Sequence, residues 1–278
     1  MLSGAIRNFS TLLGLLGLLG FLASTPASSE PGGLLDWHEV PSLGEPFAQA
    51  GVSGTFVLFD PAADRFTGWN RDRAVTRFVP ASTFKVPNSL IGLSVGAVRD
   101  VDEKLPYHSE DPPFTEAWVR DMGLREAIAL SNVPIYQELA RRIGHDRMQR
   151  ALQQLSYGSQ EIGPRVDRFW LDGPLTLSAV EQARFLARLA LGTLPFPEAH
   201  QRSVREITLL EAHPTWSLHA KTGWQNAPGA GVGWWVGWVE RGATVHAFAL
   251  NLDIRTPAEA KWRQEIGRAC LRRLGLLD

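Results

Sequence analysis

The sequence predicts an α+β fold: an antiparallel sheet built from the N- and C-terminal segments, flanked by terminal helices, with an inserted all-helical subdomain. Three observations predict it. Short apolar, β-rich runs occur between residues 54 and 69 and return after residue 216. From residue 80 to about 192, apolar side chains recur at three- and four-residue intervals, which is the helical period. The last stretch, 261–276, is amphipathic and predicts a closing helix.

The predicted strands end at turn residues. The run GTFVLF (54–59) stops at Asp60-Pro61, and RFTGW (65–69) has the composition of its hairpin partner. Arg241-Gly242 fits a tight turn between the last two strands. The strands predicted in the C-terminal part are 217–223, 233–240 and 245–252. Together these strands place the sheet subdomain at about 28–78 and 201–278.

The middle of the chain is predicted to be helical. Ser178 and Glu181 have the spacing of a capping box, which favours a helix start at that point. The predicted helices are 124–130, 133–143, 147–155, 178–191 and 203–210. Most of them fall in a helical subdomain at about 79–200.

The first 27 residues predict a secretory signal peptide. Arg7 precedes an apolar run, 12–23, which is too short for the roughly 20 residues of a membrane span. Small residues and Pro26 follow the run, so we expect cleavage after Ala27 rather than an uncleaved anchor. The mature chain, 28–278, is therefore expected to be exported, periplasmic and free of the membrane.

Composition excludes several classes of protein. The 28 basic and 29 acidic residues nearly cancel, so the chain lacks the charge of a nucleic-acid binder. The single cysteine allows no internal disulfide and no cysteine-rich zinc site, and the seven histidines show no metal-ligand spacing. We therefore expect no metal. Only four of the basic residues are lysines: Lys85, Lys104, Lys221 and Lys261.

The strongest chemical signal is STFK (82–85), an S-x-x-K motif. Its serine and lysine are one helical turn apart, on the same face. A serine hydroxyl needs a neighbouring base, and a lysine can be that base only where burial suppresses its charge. An N-cap serine with a solvated lysine is the simpler alternative. The apolar neighbours Phe84, Val86 and Pro87 favour the catalytic interpretation.

Two further tripeptides follow in order. SNV (131–133) lies in the helical part, and KTG (221–223) lies on a predicted strand. Each tripeptide is a weak signal alone. In this order after S-x-x-K, they match serine enzymes that are acylated by β-lactams and D-alanyl peptides.

With these motifs the chain resembles the class D serine β-lactamases, the oxacillinase family. FWLDGPL (169–175) and WWVGW (234–238) are quite specific to that family, and Tyr157-Gly158 also fits. The resemblance covers essentially the whole mature chain. It implies the fold of serine β-lactamases and penicillin-binding transpeptidases. It also implies hydrolysis of penicillin-type antibiotics, with a β-lactam as the small-molecule partner.

The resemblance implies catalytic roles position by position. Ser82 would be acylated, and Lys85, carbamylated by CO2 or bicarbonate to N6-carboxylysine, would be the general base of acylation and deacylation. Ser131 would relay a proton to the leaving nitrogen. Trp170 would donate its indole N–H to the carbamate. No tightly bound cofactor is implied.

The resemblance also implies a set of substrate-binding residues. Backbone N–H groups of Ser82 and Trp224 would form the oxyanion hole, and Val133 would line an apolar wall. Lys221, Thr222 and Arg263 would hold the substrate carboxylate, and Gly223 would allow the substrate backbone to pair along the strand edge. The substrate-binding residues implied are Val133, Lys221, Thr222, Gly223, Trp224 and Arg263.

Two positions depart from the family pattern. Ser159 stands where the family has asparagine after Tyr157-Gly158, which puts the usual contacts of that residue in doubt. Asn132 is polar where the family often has a small apolar residue. The sequence leaves open the effect of both. It also leaves open activity on carbapenems and bulky cephalosporins, and whether the protein is a monomer or a homodimer.

Other functions stay open at this point. A low-molecular-weight penicillin-binding protein (a D-alanyl-D-alanine transpeptidase or carboxypeptidase) shares S-x-x-K and KTG, but Trp170 and Val133 favour the lactamase. A non-hydrolytic β-lactam sensor would need several membrane spans ahead of the domain. GLSVG (92–96) matches the nucleophile elbow of α/β-hydrolases. Its Ser94 falls in a predicted helix, so we interpret that match as chance.

Overall fold

A seven-stranded sheet forms the centre of the fold in the computed structural model, which describes residues 35–109, 111–226 and 230–278. The strands are β1 (Trp37–Glu39), β2 (Gly54–Asp60), β3 (Arg65–Trp69), β4 (Leu209–Ala212), β5 (Ser217–Gln225), β6 (Gly231–Arg241) and β7 (Thr244–Ile254). Their order across the sheet is β1-β3-β2-β7-β6-β5-β4. Both ends of the chain therefore contribute to one sheet, and the α+β prediction is confirmed.

Helices fill the middle of the chain and flank the sheet. They are α1 (Glu45–Ala50), α2 (Arg71–Val75), α3 (Lys85–Ser94), α4 (Leu124–Ala129), α5 (Val133–Ile143), α6 (His145–Leu155), α7 (Ala179–Ala190), α8 (Glu198–Thr208) and α9 (Trp262–Arg273). Short 3-10 turns occur at Pro41–Gly44, Ala81–Phe84, Glu116–Trp118 and Pro257–Lys261. The predicted capping box is present, because the side chain and backbone of Ser178 both bond Glu181.

The sheet departs from the prediction at its edges. β1 pairs with β3 in parallel, so the sheet is not wholly antiparallel. A three-residue strand is too short to show the alternation that predicts strands. The predicted helix 203–210 is wrong at its C-terminal end, because the helix ends at Thr208 and Leu209 pairs with β5 as strand β4. The β6–β7 turn is Gly242-Ala243, one residue later than predicted.

The WWVGW run shows how the sheet separates two apolar cores. Trp234 and Trp238 pack with the helical part, whereas Trp235 packs with α1 and α9, because successive side chains of a strand point to opposite faces. Gly237 has no room for a side chain, since an added Cβ would lie 2.0 Å from the His219 carbonyl oxygen. This close approach fixes β5 against β6.

The predicted division into subdomains remains a prediction. Residues Leu35–Asp278 form one compact unit, and α7, from the predicted helical subdomain, packs on β2 and β7. The predicted signal peptide, residues 1–27, lies outside the described residues. In the part of the chain that is described, no helix combines the length and hydropathy of a membrane span.

His219 on β5 links the fold to pH. Burial lowers the pKa of its imidazole below the usual 6.5, and the nearby Glu240 carboxylate opposes only part of that effect. The ring stacks on Trp238 with the centroids 4.4 Å apart. Nδ1 lies 2.9 Å from the Arg205 carbonyl oxygen, to which the neutral ring can donate. The folded state therefore favours an uncharged His219.

Protonation of His219 should lower the free energy of unfolding in acid. Since the folded pKa lies below the unfolded one, the contribution is complete above about pH 6.5 and is lost as the pH falls below that value. We expect His219→Gln to lose less free energy of unfolding than the wild type between about pH 8 and pH 5.5, measured by urea unfolding. His213→Gln, which replaces an exposed histidine, is the control and should match the wild type. Equal acid losses in all three proteins would contradict this assignment.

Candidate active site

The serine and the lysine of STFK (82–85) lie together where helix α3 begins. Ser82 is in the 3-10 turn Ala81–Phe84, which we call the nucleophile turn, and Lys85 is the first residue of α3. Lys85 Nζ lies 2.8 Å from Ser82 Oγ. The structure therefore brings the predicted nucleophile and its predicted base within hydrogen-bond distance.

Lys85 is wholly buried, and burial determines its charge. Its exposed fraction is 0%. Burial holds the pKa of the amine well below its usual 10.5, and the positive charge of Lys221 lowers it further. A neutral amine can accept a proton from serine or react with CO2, and an ammonium group can do neither. The site therefore favours the chemically useful form of the lysine.

Trp170 packs a buried indole ring on the residue before Lys85. Its ring stacks on Phe84 with centroids 5.3 Å apart, and its carbonyl oxygen accepts the Ala81 N–H at 2.9 Å. Among the described residues Nε1 has no acceptor, which is costly for a buried donor. Three other tryptophans share this lack, but only Trp170 packs on the residue before Lys85. Its free donor fits a Lys85 that carries an oxygen acceptor, as a carbamate does.

The second and third motifs meet through Lys221. Its Nζ donates to Ser131 Oγ at 3.0 Å and to the Thr222 carbonyl oxygen at 2.9 Å. Burial, followed by the charge of Arg263, lowers the pKa of Lys221 to about 7. Ser131 has a left-handed backbone with φ +55°, which is uncommon outside glycine. This contact joins the helical part of the chain to the sheet.

Arg263 reaches the site from helix α9. Its Nη1 donates to the Gly223 carbonyl oxygen at 2.7 Å, and its Nε donates to the Ala260 carbonyl oxygen at 2.6 Å. Burial lowers the pKa of the guanidinium to about 10, so it remains charged at neutral pH. Together with Lys221 it gives the strand edge a positive charge suited to a carboxylate.

These residues surround a cleft of about 360 Å³. Ser82 and Ser131 lie in it beside the strand edge formed by KTG (221–223). Its lining residues are Ser82, Phe114, Trp118, Leu130, Ser131, Val133, Thr222, Gly223, Trp224, Asn226 and Arg263. Lys85, Trp170 and Lys221 are buried next to this lining. The structure thus gathers every predicted site residue in or around one cleft.

Sequence reasoning missed part of the cleft wall. Phe114 is 78% exposed and lies over Trp118, with ring centroids 5.7 Å apart. Leu130 and Asn226 also line the cleft. Phe114 lies in irregular chain and Trp118 ends a short 3-10 turn, and neither position carries a helical or strand period. The one available signal was an aromatic pair four residues apart, 13 positions before SNV.

A larger cleft of about 500 Å³ lies elsewhere on the described surface, and its lining contains none of the motif residues. Its charged groups pair with one another: Arg141 with Glu138 and Asp167, and Arg168 with Asp111. Charges that are already paired leave little to recognise a ligand. The Ser82 cleft, with convergent polar groups and lysines of lowered pKa, is therefore the candidate active site.

The two departures from the family pattern have structural roles. Asn132 is buried and caps α5: its Oδ1 accepts the Ile135 N–H at 3.2 Å, and its Nδ2 donates to the Trp118 carbonyl oxygen at 3.1 Å. Ser159 Oγ accepts the Thr176 N–H at 3.1 Å, which links two loops. Asn132 thus supports the backbone beside the cleft, and Ser159 supports the contact between the two loops.

Ser94 is not at a nucleophile elbow. It is the last residue of α3, so a helix precedes it where the motif needs a strand. Its hydroxyl lies 3.3 Å from His200 Nδ1. The structure confirms the interpretation of GLSVG (92–96) as a chance match in a helix.

Comparisons with known proteins identify the family. The family model described as the penicillin binding protein transpeptidase domain matches residues 54–272. The β-lactamase OXA-5 of Pseudomonas aeruginosa is 39% identical over 263 residues, which cover 94% of this chain and 96% of that protein. The crystal structure of FUS-1 (OXA-85), a class D β-lactamase from Fusobacterium nucleatum subsp. polymorphum, superposes with a TM-score of 0.83 at 42% identity. The superposition covers 87% of this chain and 100% of the chain of FUS-1.

The chain belongs to the class D β-lactamases. The β-lactamase OXA-48 of Klebsiella pneumoniae is 38% identical over 237 residues, covering 85% of this chain and 89% of that protein. The class D β-lactamase YbXI from Nostoc has a TM-score of 0.81 at 38% identity, covering 84% of this chain and 99% of that chain. The predicted resemblance and fold are thereby confirmed.

In this class D β-lactamase, Asn132 should be important for stability. Asn132→Ala removes the cap of α5 and one of the two donors to the Trp118 carbonyl oxygen, which keeps only the Arg120 N–H. We expect a loss of about 1–3 kcal/mol in the free energy of unfolding, measured by urea denaturation. Gln153→Ala, an exposed substitution on α6, is the control and should change stability by less than about 0.5 kcal/mol. A loss for Asn132→Ala no larger than that of the control would contradict the assigned role.

Proposed function

We propose that this class D β-lactamase hydrolyses the β-lactam ring of penicillin-type antibiotics through an acyl-enzyme on Ser82, with a carbamylated Lys85 as the general base. The observation that carries the proposal is the buried amine of Lys85, 2.8 Å from the Ser82 hydroxyl. An exposed lysine would be protonated at neutral pH and could not accept the serine proton. Burial removes that obstacle.

Carbamylation follows from the same neutral amine. Lys85 Nζ would attack CO2, forming an N–C bond and releasing one proton. The carbamate supplies an anionic oxygen that takes the proton of Ser82 in acylation and of water in deacylation. Trp170 would donate its free N–H to that oxygen. The nearby positive charge of Lys221, which repels a protonated Lys85, would instead attract the negatively charged group.

Acylation needs a proton donor as well as a base. Ser82 Oγ would attack the ring carbonyl carbon, and the ring C–N bond would break, so the leaving nitrogen must gain a proton. Ser131 Oγ, which is bonded to Lys221 Nζ at 3.0 Å, would relay it. Because the pKa of Lys221 is lowered to about 7, its ammonium group can release a proton near neutral pH. The N–H groups of Ser82 and Trp224 would stabilise the oxyanion.

The positive end of the cleft suits the carboxylate that penicillins carry. Lys221 and Arg263 are close enough for the guanidinium charge to lower the pKa of the amine. A bound carboxylate would relieve that repulsion and accept hydrogen bonds from both, with Thr222 Oγ1 as a further donor. The apolar wall, which includes Val133, Leu130 and Trp118, would contact the rest of the ligand.

The proposal extends to where the protein acts. The apolar run 12–23, followed by small residues and Pro26, supports export and release of the mature chain into the periplasm. A β-lactam that enters the cell from outside would meet the enzyme there.

Penicillin turnover tests the proposal. Purified wild-type protein should complete many turnovers, faster with added bicarbonate, and Ser82→Ala should form no acyl-enzyme. Trp170→Phe keeps a ring but removes the N–H, so we expect deacylation to slow by about 100-fold. Turnover can be followed by the loss of ring absorbance, and the acyl-enzyme by intact-protein mass spectrometry.

A second tryptophan provides the control for this experiment. Trp216→Phe removes another N–H that has no acceptor among the described residues, outside the cleft, and should leave deacylation unchanged. A single stoichiometric acylation of the wild type without turnover would contradict the hydrolase and favour a penicillin-binding protein. Equal deacylation rates for the Trp170 and Trp216 variants would contradict the role of the Trp170 donor.

A further inference from the structure

A chain of buried polar side chains supports the nucleophile turn, and the proposed mechanism does not use it. The Tyr157 hydroxyl donates to Gln182 Oε1 at 3.3 Å, and Gln182 Nε2 donates to Thr83 Oγ1 at 2.8 Å. Thr83 Oγ1 in turn donates to the Pro80 carbonyl oxygen at 2.8 Å. Each of the three side chains is 1% exposed. The donors therefore all point in one direction, from Tyr157 in the loop after α6, through Gln182 on α7, to the turn that carries Ser82.

The donors in this chain are fixed by chemistry. Burial raises the pKa of the Tyr157 hydroxyl, which keeps its proton at any working pH. The Pro80 carbonyl oxygen can only accept, so the Thr83 hydroxyl donates to it and must itself accept from Gln182. The Gln182 amide therefore presents its NH₂ group to Thr83 and its oxygen to the Tyr157 hydroxyl. Thr83 Oγ1 accepts that bond and directs its own proton to Pro80. The amide of Gln182 thus sets the orientation of the Thr83 side chain.

Thr83 lies between the nucleophile and the strand that borders the substrate cleft. An added Cβ on Gly223 would lie 2.9 Å from the Pro80 carbonyl oxygen and 3.0 Å from Thr83 Cγ2. Strand β5 therefore packs closely on the Thr83 methyl group and on the Pro80 carbonyl oxygen, which accepts the hydrogen bond of the Thr83 hydroxyl. A rotated Thr83 would push against Gly223 and change the distance from Ser82 to the strand edge.

The turn itself is under strain and needs such support. Ala81, the residue before Ser82, has φ +49°, a left-handed conformation that costs energy in a residue with a side chain. Strained backbone persists where surrounding contacts hold it. The Trp170 carbonyl oxygen holds the Ala81 N–H, and the Gln182 amide holds Thr83 on the other side of Ser82.

We propose that Gln182, through its hydrogen bond to Thr83, is a positioning residue that holds Ser82 at its reactive distance from strand β5. The inference rests on the proposed function, in which Ser82 is the nucleophile. Gln182 touches neither the cleft nor Lys85, so its effect on the reaction passes through Thr83. Replacing the Gln182 amide should therefore slow acylation beyond what an equal loss of stability elsewhere in the fold would cause.

Gln201 offers a matched control. It is also 1% exposed, and its amide is also fully hydrogen-bonded, here to backbone groups of Leu194 and Phe196 in the loop before α8. None of these residues lines the Ser82 cleft. Gln201→Met and Gln182→Met therefore remove the same buried amide chemistry at two places, of which only one supports the nucleophile turn.

Acylation kinetics test the proposal on purified protein expressed from the full sequence. With a penicillin, rapid-quench mass spectrometry should show that Gln182→Met lowers the acylation rate constant by about 10- to 100-fold, whereas Gln201→Met keeps it within about 3-fold. Thermal unfolding should show similar losses of stability for both. Thr83→Val, which keeps the shape and removes the hydroxyl, should match Gln182→Met, and Thr83→Ser should keep most of the rate.

The double variant gives a further readout. Because Thr83→Val and Gln182→Met both remove the hydrogen bond between Gln182 and Thr83, together they should slow acylation by clearly less than the product of the two single effects. Additive losses, or equal acylation rates for the two glutamine variants, would overturn the proposal. If Gln182→Met does not fold, a wild-type acylation rate in Thr83→Val would overturn it. Acylation of the wild type without turnover would contradict the proposed hydrolysis but not the role of Gln182. A wild type that is never acylated would contradict both proposals.

Discussion

The burial of one amine, that of Lys85, is the constraint on which the rest of the site depends. A charged ammonium group without a carboxylate partner is costly to keep in the interior, so burial lowers the pKa of the lysine and favours its neutral form. The nucleophile turn places Ser82 against it, and Trp170 stacks on Phe84, the residue before Lys85. Arginine could not replace Lys85, because a guanidinium does not lose its proton. In a chain with four lysines, two lie at this site.

The sheet explains how distant motifs meet. β5 carries Lys221 to Ser131, which lies just before helix α5, and Arg263 from helix α9 holds the carbonyl oxygen of Gly223. Three buried or half-buried basic side chains, Lys85, Lys221 and Arg263, thus converge without a carboxylate partner among the contacts described for them. Burial lowers the pKa of all three side chains. The charge of Lys221 lowers the pKa of Lys85 further, and the charge of Arg263 lowers that of Lys221. Such a site is prepared for an anionic ligand and for an anionic group on Lys85.

Much of this could be predicted from the sequence, because motif spacing and apolar period are local signals. STFK, SNV and KTG located Ser82, Ser131 and Lys221, and the period located most helices and the long strands. Features that depend on contacts between distant residues left no such signal. Strand β1 is too short to alternate, and Leu209 joins β4 only because β5 lies beside it. The bond from Gln182 to Thr83 spans 99 positions and became visible only in the folded chain.

The central claim is that the buried Lys85 amine is neutral and takes up CO2. Carbon-13 NMR of the wild-type protein in ¹³C-bicarbonate tests it most directly, with Lys85→Ala to assign the signal and Lys104→Ala, at a lysine outside the cleft, as control. We expect one carbamate resonance near neutral pH that is present in the wild type and in Lys104→Ala, is absent in Lys85→Ala, and disappears reversibly in acid. A wild-type protein that turns over penicillin with no such resonance would contradict it.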